Sequence, residues 1–167
     1  MVHFSGGRSA QGEVLSDLLD DRELTDEETK NLKRIELWRD LYNGNDMEAF
    51  VRESYHPDIK CTIFDGTDLD GSSIDLADAA IFIDTEKRIK KSCPGRKIEI
   101  LRYIPAGNVM VLEALITDDA RPDFRLAWCA ILTFKDGKIV SDHSYLNHRH
   151  WPGLVMVLEE NDAMTAA

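Results

Sequence analysis

The sequence predicts an α+β domain with helices packed on a curved antiparallel sheet. Three observations carry that expectation. Before Pro94 the apolar residues recur mainly at the three-and-four spacing of helices. Beyond it they fall into four strand-like runs divided by turn signals. One of those turns is Asp136-Gly137, and Asp-Gly between alternating runs is a strong hairpin signal. Helices first and then consecutive strands places the helices on one face of the sheet.

Residues 1–23 read as a polar N-terminal arm, with one short amphipathic patch at Val14, Leu15, Leu18 and Leu19. The domain itself is expected over 24–158, and 159–167 as a tail. Thr25 with Glu28 forms a capping box, and Asp26 and Glu27 suit the positive end of a helix dipole. Leu32, Ile35, Trp38, Leu41 and Tyr42 then follow helical spacing up to the stop signal Asn43-Gly44. Asp46 can cap a second helix that faces Phe50 and Val51 inward and ends at His56-Pro57. Ile59–Phe64 is strand-like and is followed by an acidic, turn-rich loop. A third helix is expected from about 75 to 92, amphipathic through Leu76, Ala79, Ala80, Phe82, Ile83 and Ile89. Its basic end complements the dipole, and Pro94-Gly95 breaks it. The four strand runs are Lys97–Ile104, Asn108–Thr117, Phe124–Phe134 and Lys138–Leu146.

At 167 residues the chain suits one domain with a real core. A net charge of −11 opposes binding to phosphate backbones or anionic membranes, and no basic stripe with interleaved aromatics compensates. Neither a nucleic-acid nor a membrane partner is expected. No apolar run is long enough to span a bilayer, and the first residues lack a secretory pattern, so the expected location is cytoplasmic. Cys61, Cys93 and Cys129 lack CxxC spacing, and Cys61 and Cys129 read as small buried thiols. No nucleotide-binding, phosphate-binding or nucleophile-elbow motif is present, and no cofactor is expected.

The order of elements and three local motifs resemble the SnoaL-like, nuclear transport factor 2-like superfamily over roughly residues 25–155. The motifs are Tyr55-His56-Pro57-Asp58, Gly71 ahead of a helix, and Phe134-Lys135-Asp136-Gly137-Lys138-Ile139-Val140 followed by Tyr145-Leu146-Asn147. The resemblance implies a conical fold around one deep pocket, and a homodimer or higher homo-oligomer paired through the outer sheet face. It also implies chemistry drawn from cyclases, isomerases, dehydratases, lyases and epoxide hydrolases, or non-catalytic binding. In the related cyclases and epoxide hydrolases, an acid stands seven residues after the turn glycine. Here that place is Ser144, which speaks against those two chemistries.

Alternation puts Val140, Asp142 and Ser144 on one strand face, and Ser141, His143 and Tyr145 on the other. Asp142 is the leading general base: an apolar pocket raises a carboxyl pKa toward the working range. Glu113, flanked by apolar residues, is either buried and functional or on the outer face, with Arg102, Arg125 or a His as its partner. His143 is a candidate acid/base through its near-neutral pKa. His143, His148 and His150 cluster in sequence, but their spacing suits neither one helix face nor a defined ligand set, so no metal is expected. Tyr42 and Tyr55, from the helical half, are candidate donors to a carbonyl or oxyanion; each is otherwise core. Trp38, Phe82, Trp128, Trp151, His56 and Tyr103 are the expected substrate-binding wall. The function expected from these residues is cofactor-independent lyase, isomerase or cyclase chemistry on a small apolar molecule. The alternatives are a non-catalytic binder and a dimeric interaction scaffold.

Overall fold

The structure is a computed structural model and describes residues 23–64, 73–76 and 79–146. Within them the order is α1 (Asp26–Asn43), α2 (Met47–Ser54), β1 (Tyr55–Phe64), β2 (Ser73–Leu76), α3 (Ala79–Ser92), β3 (Arg96–Ala106), β4 (Val109–Asp118), β5 (Arg125–Lys135) and β6 (Lys138–Tyr145). The strands form one sheet in the order β2-β1-β6-β5-β4-β3. Helices on one side of a curved sheet give the expected α+β cone, and β3 to β6 form the expected antiparallel meander.

The caps lie where the sequence signals place them. Thr25 Oγ1 accepts from Glu28 N at 3.2 Å, and Glu28 Oε2 accepts from Thr25 N at 2.9 Å. Glu28 also receives Gly107 N at 3.0 Å, which ties the start of α1 to the β3–β4 turn. Asp46 Oδ1 caps α2 through Ala49 N at 3.0 Å. At the other end of α1, Asn43 bonds both backbone groups of Ile98, accepting from N at 2.8 Å and donating to O at 2.9 Å. β3 is an edge strand, so this side-chain amide does there what a neighbouring strand would do. Gly44 ends α1 in right-handed geometry (φ −75°), and the left-handed residue is Asn45 (φ 67°). Asp136 and Gly137 both have positive φ, 52° and 74°, as a two-residue I′ hairpin requires.

Four expectations need correction. The sheet is mixed, because β6 pairs with β1 in parallel. Alternation within a strand carries no information about the direction of a partner far away in sequence. Ser73–Leu76 is a strand paired antiparallel to β1, so the helix expected from 75 starts later and does not directly follow the Gly71 motif. Short segments mixing Ile, Asp and Leu fit either period, and here pairing to β1 decides. Tyr55 opens β1 rather than closing the helical half. Cys129 is only half-buried, on the sheet face away from the helices, whereas Cys61 and Cys93 are buried.

Two β-bulges set which side chains face the helices. On β3, Ile100 pairs with Ala114 but Arg102 with Glu113, which leaves Leu101 as the extra residue. On β6, Ile139 pairs with Phe134 but Ser141 with Thr133, which leaves Val140 extra. Ile139 and Asp142 are consequently both buried although they lie three positions apart, an odd spacing in a strand. Val140 sits at the bulge, half-buried, and does not share the face of Asp142 and Ser144 as simple alternation expects.

The core lies between the inner sheet face and the helices. Met110, Leu112, Ala114 and Ile116 of β4, with Ala130 and Leu132 of β5, are completely buried. Ile35, Trp38 and Tyr42 of α1 and Phe50 and Val51 of α2 pack onto them. Each fully buried large side chain contributes about 1.5–3 kcal/mol.

A candidate active site between sheet and helices

Between the two layers lies a cavity that is partly open at its mouth. α1 supplies Trp38 and Tyr42, α2 Phe50, α3 Phe82, Thr85, Glu86 and Ile89, β1 Tyr55, Cys61 and Ile63, β3 Ile98, and β5 Trp128. β6 supplies Asp142 and Ser144, and Leu146 follows it. Six of these side chains are aromatic and pack on one another: Trp38 lies 5.5 Å from Trp128 and 5.6 Å from Phe50, ring centre to ring centre, and Tyr55 lies 4.8 Å from Phe82.

One hydrogen-bond chain ends on Asp142. Trp38 Nε1 donates to Tyr55 Oη at 3.0 Å, Tyr55 Oη donates to Asp142 Oδ2 at 3.2 Å, and Ser144 Oγ donates to Asp142 Oδ1 at 2.7 Å. Asp142 is 3% exposed. Burial pushes its pKa up from 3.8 to about 6, against the pull of the Ser144 and Tyr55 hydroxyls. Burial, and then the charge of Asp142, keep the Tyr55 phenol well above its usual pKa, so Tyr55 remains a donor.

Buried charges make a second polar region. Arg96 is completely buried, and its Nη2 bonds Glu86 Oε2 at 2.8 Å. Lys90 Nζ donates to the Arg96 carbonyl; desolvation, then the Arg96 charge, lower its pKa to about 8. Glu86 is itself pushed up by burial, with Arg96 and Lys90 opposing. Tyr42 lies beneath both cations, with Lys90 Nζ 4.6 Å and the Arg96 guanidinium carbon 5.1 Å from its ring centre. The Arg96 guanidinium bears on the buried Tyr42 hydroxyl from the donor side, and the hydroxyl's own proton has no acceptor among the described residues.

The structure brings together Asp142, Ser144, Tyr42, Tyr55, Trp38, Phe82 and Trp128. It does not bring the other candidates there. His143 is exposed on the outer sheet face, because alternation turns it away from Asp142. Glu113 is on that same face, half-exposed and ion-paired with Arg102 across β3 and β4. His56 leans on its own strand, accepting from Asp58 N at 3.1 Å, and does not line the cavity. Tyr103 packs at the margin of the core, outside the cavity lining. Trp151, His148 and His150 lie outside the described residues. Among the described residues no group of His, Cys, Asp and Glu is placed to hold a metal ion.

Glu86 and Arg96 are charged residues that the sequence pattern does not single out, yet both carry a signal. Glu86 follows Phe82 by four positions and precedes Ile89 by three, a carboxylate on the apolar stripe of α3. Arg96 alternates with Ile98 and Ile100 and so shares their inward face. Glu113, by contrast, is expected to be dispensable. Glu113→Gln should change stability by about 0.5 kcal/mol or less in a urea titration, as for other exposed ion pairs. A loss several times larger would place Glu113 in a buried network.

No family's sequence profile matches the chain, and no curated protein matches it in sequence. Its fold does match solved structures. A protein of Jannaschia sp. CCS1 named as a SnoaL-like polyketide cyclase superposes with TM-score 0.58 at 13% identity, covering 74% of this chain and 89% of that one. An NTF2-like protein of unknown function from Cytophaga hutchinsonii ATCC 33406 gives 0.55 at 13% identity, covering 78% and 96%. A de novo designed protein with a curved β-sheet gives 0.61 at 10% identity, covering 81% and 98%. Likeness at such identities establishes the fold, and the designed protein makes plain that the fold alone names no reaction.

Proposed function

We propose, from the premise that the chain has the fold of the SnoaL-like, nuclear transport factor 2-like superfamily, that it is a cofactor-independent acid/base enzyme. Its substrate is a small, largely apolar carbonyl compound, and its reaction is of the isomerase, lyase or cyclase type. The observation that carries this reading is Asp142: a carboxyl with pKa of about 6, buried in an aromatic-lined cavity. A base of that pKa is ionised at neutral pH and returns its proton readily. Ionised Asp142 takes a proton from the carbon next to the carbonyl. The Tyr42 hydroxyl, whose proton has no acceptor in the described structure, donates to the oxygen on which charge develops. Tyr55 and Ser144 hold the Asp142 carboxylate in position. The protonated Asp142 then delivers the proton to a neighbouring carbon or to a leaving group.

A second reading, a non-catalytic binder, is favoured by one observation. Both Asp142 oxygens already receive a hydrogen bond, and Ser144 stands where related cyclases place their acid. The two readings separate on exchange of carbon-bound protons. 2-Tetralone, a bicyclic ketone with an acidic C–H beside its carbonyl, is incubated in D₂O with the protein and followed by NMR. The enzyme reading expects faster deuterium uptake with the native chain than with Asp142→Asn. Equal rates reject it in favour of the binder. Tyr42→Phe should slow the same exchange by roughly 10- to 100-fold, the worth of one hydrogen bond to a charged group. An unchanged rate would remove Tyr42 from the mechanism.

A further inference from the structure

We infer that Glu86 is a hydroxyl receptor, and that the cavity therefore selects apolar ligands carrying an alcohol or phenol group. This rests on the reading of the cavity as a ligand site, but not on Asp142 acting as a base. Glu86 lines the cavity from α3, on the helix wall, while Asp142 lines it from β6, on the sheet wall. The Glu86 side chain is 10% exposed. Its one hydrogen bond among the described residues runs from Arg96 Nη2 to Oε2 at 2.8 Å. Oε1 has none, although a carboxylate oxygen can accept two. Oε1 is not among the fully buried unpaired atoms, so it keeps open surface and can take a donor that a ligand entering the cavity would supply. Asp142 is less suited to that role, since Tyr55 and Ser144 already engage both its oxygens.

Charge narrows the class of donor. Arg96 is ion-paired to Glu86, and Lys90 lies against the Arg96 carbonyl. Two cations at this end of the cavity disfavour an ammonium group, which would add a third buried positive charge. A neutral hydroxyl brings a donor without a charge. The carboxylate, held in place by Arg96, receives it in a charge-assisted hydrogen bond. Glu86 is thus a specificity-determining residue that fixes how an amphipathic ligand lies between the two walls.

Equilibrium dialysis of the full chain against three naphthalene probes tests this. 2-Naphthol donates a hydrogen bond, 2-methoxynaphthalene has a similar shape but only accepts, and 2-naphthylmethylammonium is cationic. The native chain is expected to bind 2-naphthol roughly 10- to 100-fold more tightly than 2-methoxynaphthalene, the range for a hydrogen bond to a charged group. Glu86→Gln can keep an oxygen toward Arg96 while turning its N–H groups to the cavity, and the order of those two probes should then level or reverse. In Asp142→Asn the preference for 2-naphthol should persist. The order of affinities in the native chain decides the matter even if Glu86→Gln fails to fold. Equal binding of the two neutral probes overturns the inference while leaving the cavity as a ligand site. Tighter binding of the ammonium probe overturns the hydroxyl assignment. Loss of the preference in Asp142→Asn moves the receptor to Asp142 and overturns it too. Failure of every probe to bind overturns both this inference and the reading of the cavity.

Discussion

Asp142→Asn is expected to lower the rate of proton removal from a bound carbonyl compound by about 10²–10⁴-fold, the usual contribution of a positioned base. The amide has nearly the shape of the carboxyl and still offers Oδ1 to a Ser144 or Tyr55 hydroxyl, so the cavity is kept while the basic lone pair is lost. In the native chain the rate at low substrate should rise with pH and level off above about 6, because only ionised Asp142 removes a proton. The deuterium exchange of 2-tetralone, followed across pH 4.5 to 8, reads both effects. A native profile that is flat across that range, or a variant within a factor of two of native, would take the role of base away from Asp142.

The same substitution is expected to stabilise the fold at neutral pH, and this is the second large effect. Burial raises the Asp142 pKa from 3.8 to about 6. A carboxyl whose pKa is higher in the folded state binds its proton more tightly when folded. Below about pH 4 it is protonated in both states and adds nothing. Between about 4 and 6 the folded chain holds a proton that the unfolded chain has released, so stability falls as pH rises. Above the folded pKa the full cost stands, about 3 kcal/mol at ~1.4 kcal/mol per unit. The amide in Asp142→Asn cannot ionise and escapes this cost. At pH 8 the variant should therefore be more stable by up to about 3 kcal/mol, or roughly 6–12 °C in melting temperature for a chain of this size. The difference should vanish near pH 4. Thermal melts of both proteins from pH 4 to 8 measure it, and a variant less stable than native at pH 8 would contradict the buried, desolvated state of Asp142. Gain of stability together with loss of turnover is the mark of a strained catalytic group, since function retains an ionised carboxyl where folding alone favours a neutral one.

What the sequence determined by itself are the features set by near neighbours in the chain. The Thr25–Glu28 box, the Asp46 cap, the stop at Asn43-Gly44 and the Asp136-Gly137 hairpin are each decided within a few residues, and each forms as read. The apolar period likewise placed Trp38, Tyr42, Phe82 and Trp128 inward, because a helix or strand repeats regularly unless something interrupts it. Alternation over three positions was enough to put Asp142 and Ser144 on one side and His143 on the other. Only the tertiary structure decided what depends on partners distant in sequence. The parallel pairing of β6 with β1 arises from where the meander returns. The strand at Ser73–Leu76 exists because β1 has a free edge to offer it. The bulge at Val140 reverses the phase of β6, so Ile139 and Asp142 can face the same core. Glu113 reads as a carboxylate in an apolar run, and only the register of β3 on β4 shows it meeting Arg102 on the outer face. The Glu86–Arg96 pair joins a helix to a strand across the Pro94-Gly95 turn, and two charges so buried are tolerable only because the fold brings them together. Residue types and periods thus fix which groups point inward, whereas long-range pairing fixes which of those groups meet.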